Sequence, residues 1–192
     1  MIRTTQDDSR ENEQIRIFKL QPYKGRSNKY IPDAYVNIDD NKYDLELKTR
    51  DIKKSGVSTS RDFGKEKIEQ WKKNDGFVFS SYEKKKTGFV FHEHVFCTAG
   101  QLKPFFDKQE KKQQDGHAGR IGRQKYNEII RPLLLKNEDA KKLIEKLDKT
   151  INQGTKINDP KISWKDIKKW GTTLDNNRLP EHLLELLKEQ SK

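Results

Sequence analysis

Cysteine, long apolar runs and internal repeats are what this chain lacks. Cys97 is its single cysteine, which excludes an intrachain disulfide and a cysteine-based metal centre. No apolar stretch approaches the ~20 residues of a membrane-spanning helix. Met1–Gln6 leads into acids, where a secretory leader would carry its apolar core. These absences make a cytoplasmic, intracellular location the expectation, with no membrane. The glycine-rich loop Asp115–Arg123 has no Gly-Lys-Ser/Thr and lacks the strand-before, helix-after setting of a Walker loop, which argues against nucleotide binding. With only 31% hydrophobic residues, the chain can fill one compact core and must leave long polar segments outside it.

What the chain has is charge. Its 41 Lys and Arg outnumber its 30 Asp and Glu, for a formal net charge of +11. Such an excess points to a polyanionic partner, because cations that neutralise phosphates release condensed counterions. An anionic membrane surface is the rival partner, but no basic amphipathic helix with a continuous apolar face supports it. The excess is uneven. Lys48–Lys73 holds nine Lys or Arg against four acids. Within it, Lys53–Arg61 (KKSGVSTSR) reads as a flexible, hydroxyl-rich loop feeding a helix over Asp62–Lys73. Hydroxyls, backbone amides and a helix N-terminus all suit phosphate contacts. Arg50, Lys53, Lys54, Ser58, Ser60, Arg61 and Lys65 are therefore candidate DNA contacts, with a solvated capping loop as the plain alternative. Arg120 and Arg123, in the glycine-rich loop, are two more, since Arg reads guanine or follows a narrow minor groove. A plain loop is the alternative there too.

The chemistry-bearing stretch is Ile31–Arg50, IPDAYVNIDDNKYDLELKTR. In its second half Tyr43, Leu45 and Leu47 alternate strictly with Asp44, Glu46, Lys48 and Arg50, the period of a half-buried strand. In its first half Ala34, Val36 and Ile38 share one face, and Asp33 and Tyr35 the other. Asp39–Lys42 is a turn by composition, because short Asx side chains bond their own backbone and tolerate unusual dihedrals. With those four residues as the loop, Ile38 faces Tyr43, Tyr35 faces Glu46 and Asp33 faces Lys48. Glu46 then lies on the diagonal from Asp33, within roughly 7–8 Å. Two carboxylates and an amine converge on the polar face of a hairpin whose other face is apolar. Two carboxylates so close repel unless a cation sits between them, and hard oxygen ligands favour Mg²⁺ or Mn²⁺. A lysine beside such a metal can position or help to deprotonate a water. A solvated strand face with a surface Asp–Lys pair is the competing account.

Pro32-Asp33 followed by Glu46-Leu47-Lys48 resembles the PD-(D/E)xK nuclease signature, an Asp at the start of one strand and an acid-x-Lys in the next. The resemblance covers about the first half of the chain, to residue 97. It implies an α/β, restriction-endonuclease-like fold: a mixed sheet of four to five strands flanked by helices, with a helical C-terminal subdomain. It implies Mg²⁺-dependent hydrolysis of DNA phosphodiesters, with Mn²⁺ as a substitute. Asp33 and Glu46 would be metal ligands, the Leu47 carbonyl would complete the set, and Lys48 would orient or activate water. Nucleases of this kind often bring a further acid from an N-terminal helix, and by helical phase Glu11 is the candidate; an ordinary surface glutamate is the alternative. A basic, self-contained chain fits best a type II restriction endonuclease of prokaryote or phage, acting on double-stranded DNA as a homodimer. The alternatives are a structure-specific nuclease, such as a junction resolvase or repair nicking enzyme, and a DNA-binding protein without catalysis.

Around the hairpin the sequence predicts a helix over Thr5–Phe18 with Ile15 and Phe18 inward. A helix stripe of Phe63, Lys67 (its stem), Ile68 and Trp71 follows the basic loop. Strands are expected at Gly76–Tyr82 and Gly88–Cys97, the first apolar on both faces as a central strand would be. His92 and His94 have no third soft ligand and read as structural or surface residues. A helix over Thr98–Gln114 buries Leu102, Phe105 and Phe106. Beyond it come helices over Gln124–Lys136, broken near Pro132, and Asn137–Gln153, with Leu143, Ile144, Leu147 and Ile151 inward. Short helices close the chain at Ser163–Trp170 and Pro180–Gln190. The expected division is a nuclease core over 1–122 and a helical subdomain over 123–192 packed on it, with one single domain as the alternative.

Overall fold

The computed structural model describes residues 6–23, 31–59, 65–112, 126–152 and 160–190. The chain separates into two units, one formed by residues 1–106 together with 159–192, the other by 107–158.

The first unit is α/β, built on a mixed six-stranded sheet. Its long strands are β2 (Ala34–Ile38), β3 (Asn41–Asp51), β5 (Gly76–Lys85) and β6 (Gly88–Cys97). Two-residue strands β1 (Gln21–Pro22) and β8 (Thr172–Thr173) extend its edges, giving the order β1-β2-β3-β5-β6-β8. The β3–β5 pair is parallel and every other pair antiparallel. Gly76–Tyr82 is buried throughout, as a central strand requires. Gly76 opens that strand because a Cβ there would lie 2.3 Å from the Phe96 ring.

The β2–β3 turn is tighter than its composition suggests. Ile38 pairs with Asn41 and Val36 with Tyr43, so only Asp39 and Asp40 form the loop. Asp39 takes a left-handed φ of 54°, which short Asx side chains tolerate. The register therefore moves by two residues from the expected one. Because the strand period is two, every side chain keeps its face.

Each face of the sheet carries its own core. Phe77, Phe79, Val95 and Cys97 pack with Trp71 of α2 (Lys65–Trp71), with Leu102, Phe105 and Phe106 around the start of α3 (103–112), and with Ile167 of α6 (Trp164–Trp170). Ala34, Val36, Leu45, Leu47, Val78 and Phe96 pack with Phe18, at the end of α1 (Gln6–Ile17), and with Leu183 and Leu187 of α7 (Leu179–Glu189). Thr98 Oγ1 accepts from Gln101 N at 3.0 Å and Gln101 Oε1 accepts from Thr98 N at 2.8 Å, a reciprocal cap ahead of α3. Ser163 caps α6 by accepting from Asp166 N at 3.0 Å.

Besides that register and the six strands where four to five are expected, two further features depart from expectation. Lys53–Arg61 is not a free loop over its described part: β4 (Gly56–Ser58) pairs antiparallel with β7 (Lys161–Ser163), with Val57 fully buried. The last 34 residues also belong to the first unit, not to a separate helical subdomain beginning at 123. Their apolar side chains, Ile162, Trp164, Ile167, Leu174, Leu183 and Leu187, lie inside the sheet's two cores.

The second unit is helical. A π-turn (Tyr126–Ile130) runs into α4 (Arg131–Leu134), and a 3₁₀ turn (Glu138–Ala140) into α5 (Lys141–Asn152). Asp148 ties them, accepting from Tyr126 Oη at 3.0 Å and from Arg131 Nε and Nη2 at 3.1 Å. Ile144 is buried as expected, whereas Leu143 is 49% exposed. No helix among the described residues is long and apolar enough to cross a membrane.

Candidate functional site

The alternation of β3 sends Leu45 and Leu47 into the α1 side of the sheet, and Glu46, Lys48 and Arg50 to the α2 side. Asp33 stands just before β2, and Leu47 N donates to its Oδ2 at 2.9 Å. That bond fastens one carboxylate to the main chain between the other two members of the motif. Lys48 Nζ then reaches Asp33 Oδ2 at 3.0 Å, Glu46 Oε1 at 2.7 Å and the Leu47 carbonyl at 2.9 Å. The Asp33, Glu46, Leu47 and Lys48 of the motif are thus brought together. The two-residue register shift puts Asp33 across from Glu46 instead of Lys48, which brings the carboxylates closer to one another than the expected diagonal.

Burial sets the electrostatics. Glu46 is only 3% exposed. Desolvation pushes its carboxyl above the usual range, and neighbouring Asp33 pushes the same way against the pull of Lys48 and Lys67. Desolvation also disfavours the Lys48 ammonium, but Asp33 and Glu46 outweigh it and raise its pKa. Lys48 is therefore charged and holds three acceptors. Among the described residues, Glu46 Oε2 has no hydrogen-bond partner although it is buried, an expensive condition for a carboxylate oxygen.

Lys67 is a residue the sequence reading undervalued. Only its stem was expected in the α2 stripe, yet its Nζ lies 3.9 Å from Glu46 Oε1 and donates to Gln70 Oε1 at 2.8 Å. Gln70 in turn donates to Asn74 Oδ1 at 2.9 Å. The signal was there in helical phase: Lys67, Ile68 and Trp71 share the buried face of α2, and Glu46 lies on the strand face opposite.

Glu11 does not join this group. Its helix, α1, lies on the opposite face of the sheet, held there by Arg10 Nε donating to Thr49 Oγ1 at 3.1 Å and by Gln14 Nε2 donating to Ser80 Oγ at 2.7 Å. The inward stripe of α1 is Arg10, Gln14 and Phe18. The phase was misjudged because two of those three residues are polar. Gln14 also donates to the Val78 carbonyl at 3.3 Å, and Ser80 Oγ meets His94 Nδ1 at 2.7 Å. His94 is thus a buried structural residue, while His92 is exposed and beside Glu83.

The candidate DNA contacts divide. Lys53, Lys54, Ser58 and Lys65 are exposed. Arg50 is used internally: its guanidinium stacks 4.4 Å over the Trp164 ring, and Nη1 donates to the Lys54 carbonyl. Trp164 itself donates to Glu93 Oε2 at 2.9 Å, which anchors the start of α6 to β6. Ser60, Arg61, Arg120 and Arg123 lie outside the described residues.

Among the described residues, no three His, Cys, Asp or Glu side chains come together as a metal cage. The local donor set is two carboxylates and the Leu47 carbonyl, all hard oxygens. With waters and phosphate oxygens completing the shell, that is the kind of set Mg²⁺ accepts. The orphaned Glu46 Oε2 fits such a group, since a cation would satisfy it. Neither the protein-family models nor the curated proteins compared with this chain match it.

Proposed function

We propose that this chain is a divalent-metal-dependent nuclease of the PD-(D/E)xK type that hydrolyses DNA phosphodiesters. The observation that carries the reading is the Asp33–Glu46–Lys48 cluster, with the Leu47 carbonyl beside it and one buried Glu46 oxygen lacking a partner among the described residues. A bound cation would satisfy that oxygen.

Asp33, Glu46 and the Leu47 carbonyl would hold Mg²⁺ or Mn²⁺. When bound, the metal supplies Lewis-acid polarisation of the phosphate and a more acidic water. The protein's own part is positioning. Leu47 N fixes Asp33, and the parallel β3–β5 pair fixes Glu46 and Lys48. Lys48, kept charged by two carboxylates, serves better as a donor that orients water or stabilises developing phosphate charge than as a base. Lys67 adds a second positive charge near Glu46. Exposed Lys53, Lys54, Ser58 and Lys65 follow directly in the chain and supply phosphate contacts.

The finer reading is a type II restriction endonuclease on double-stranded DNA. Cutting both strands then calls for a homodimer with two sites related by a twofold axis. Plasmid incubation with Mg²⁺ or Mn²⁺ tests both levels. Wild type is expected to cut, and Asp33→Ala and Lys48→Ala not to. Discrete bands select a restriction enzyme, and cleavage confined to four-way junctions selects a resolvase. DNA shifted on a gel but intact in both metals would leave a binding protein without catalysis.

A further inference from the structure

We infer that the cleft between α1 and the β5–β6 hairpin binds a single-stranded nucleic-acid segment, its phosphates on lysines and an unpaired base on Phe89. The inference rests on the nuclease reading only for the strand's being DNA.

The cleft encloses about 440 Å³ and is lined by Arg10, Tyr82, Lys84, Lys85, Lys86 and Phe89 among others. That volume lies within the range of small-ligand sites. Its charge is one-sided. Glu83 is the acid beside it in the hairpin, and it is already paired with Lys85 at 2.5 Å and next to His92 at 3.3 Å. Lys84 and Lys86 are exposed and have no ion-pair partner among the described residues. Such a pair of cations on one side of a cleft wants an anion.

The floor is aromatic. The Arg10 guanidinium lies 4.5 Å from the centroid of the Tyr82 ring. Phe89 stands 6.0 Å from Tyr82 at 71° and 5.3 Å from Phe91 at 67°. Tyr82 is buried, whereas Phe89 is half-exposed among lysines. Cations beside an accessible ring form the recurring platform for single strands, in which bases stack and phosphates are neutralised. A paired duplex keeps its base faces stacked on one another and offers such a ring nothing.

The cleft is separate from the carboxylates. It opens on the α1 face of the sheet, and they lie on the other. It also sits beyond them along the strands, since Lys48 pairs with Phe79 and Tyr82 comes three residues later, roughly 10 Å on. A hydrogen bond from Arg10 Nε to Thr49 Oγ1 at 3.1 Å ties the helix beside the cleft to the strand that carries Glu46 and Lys48.

The test is fluorescence anisotropy of a labelled oligodeoxythymidine and of a labelled duplex, in EDTA so that nothing is cut. Lys84→Ala/Lys86→Ala is expected to weaken single-strand binding about tenfold or more and to flatten its salt dependence by about 1.4 in log–log slope. Phe89→Leu should weaken it roughly 5- to 150-fold and spare the duplex, while Phe89→Trp binds like wild type. Lys141→Ala/Lys142→Ala removes the same charge from exposed positions in the second unit. If that control weakens binding as much as the cleft variant does, or Phe89→Leu binds like wild type, the inference is wrong. The two proposals fail separately. Binding that follows the cleft in a protein that never cuts overturns only the nuclease reading. Cutting by a protein whose cleft variants bind normally overturns only the cleft.

Discussion

The two faces of the six-stranded sheet both bury polar groups, and they do so in opposite ways. On the α1 face Gln14, Ser80 and His94 form a neutral chain of hydrogen bonds. Burial holds the His94 imidazole down at about 4, so it carries no charge near neutrality. On the α2 face Asp33, Glu46, Lys48 and Lys67 crowd four ionisable groups within ion-pairing distances of 2.7 to 3.9 Å. Arg10 is the cation on that side, at its edge on Thr49 and the Tyr82 ring, and the neutral chain is what a core does when it must accept polar atoms. The charged face has a different logic, because buried ion pairs add little stability over apolar packing. Groups kept there at such expense are what the proposed metal-dependent chemistry would account for.

Removing the central cation breaks this contrast most severely. Lys48→Ala is expected to lower DNA cleavage by about 10²–10⁴-fold and to lower unfolding free energy by about 3–5 kcal/mol. Mg²⁺ should then return more stability to the variant than to wild type in urea melts. Cleavage at the wild-type rate would reduce the charged face to a structural ion pair.

The neutral face is probed by pH. The unfolded chain takes up a proton on His94 near 6.5 and the folded chain only near 4. Its contribution is therefore whole above pH 6.5 and is lost as pH falls toward 4, by about 3 kcal/mol. His94→Gln, which keeps a polar partner for Ser80, should flatten that part of the stability curve.

Glu46 supplies a slope of the other sign. Its raised carboxyl keeps the proton in the fold at a pH where the unfolded chain has lost it, so its contribution declines as pH rises through and above the carboxylate range. Glu46→Gln should raise stability at neutral pH by about 1 kcal/mol while abolishing cleavage, as denaturant melts and plasmid assays would record. A loss of stability would erase the distinction between the faces.

The smallest effect is expected outside both. Lys53→Ala and Lys54→Ala, each exposed, should leave the melting temperature unchanged. Each should reduce the log–log salt slope of duplex binding by about 0.9.

The charged face was legible in sequence because period-two alternation assigns a strand's sides without reference to its partners. Loop length was not, since Asp39 and Asp40 suit a two-residue turn as well as a longer one, and only the register distinguishes them. Glu11 was misplaced because the eye follows apolar phase, and α1 turns Arg10 and Gln14 toward the sheet. The β4–β7 pair was invisible because three-residue strands carry no period and their pairing spans the second unit. The closing helices were legible as helices, but a helix's position in the chain does not name the surface that covers it.

A ribosome delivers Thr59 101 residues before Pro160, whose carbonyl it bonds, and Leu183 and Leu187 come later still. Until they arrive, Val36, Leu45, Val78 and Phe96 lack part of their cover. The sheet of the nascent chain therefore waits, half-clothed, through the whole synthesis of residues 107–158. Contacts of such sequence separation fold slowly and leave strands open to wrong partners.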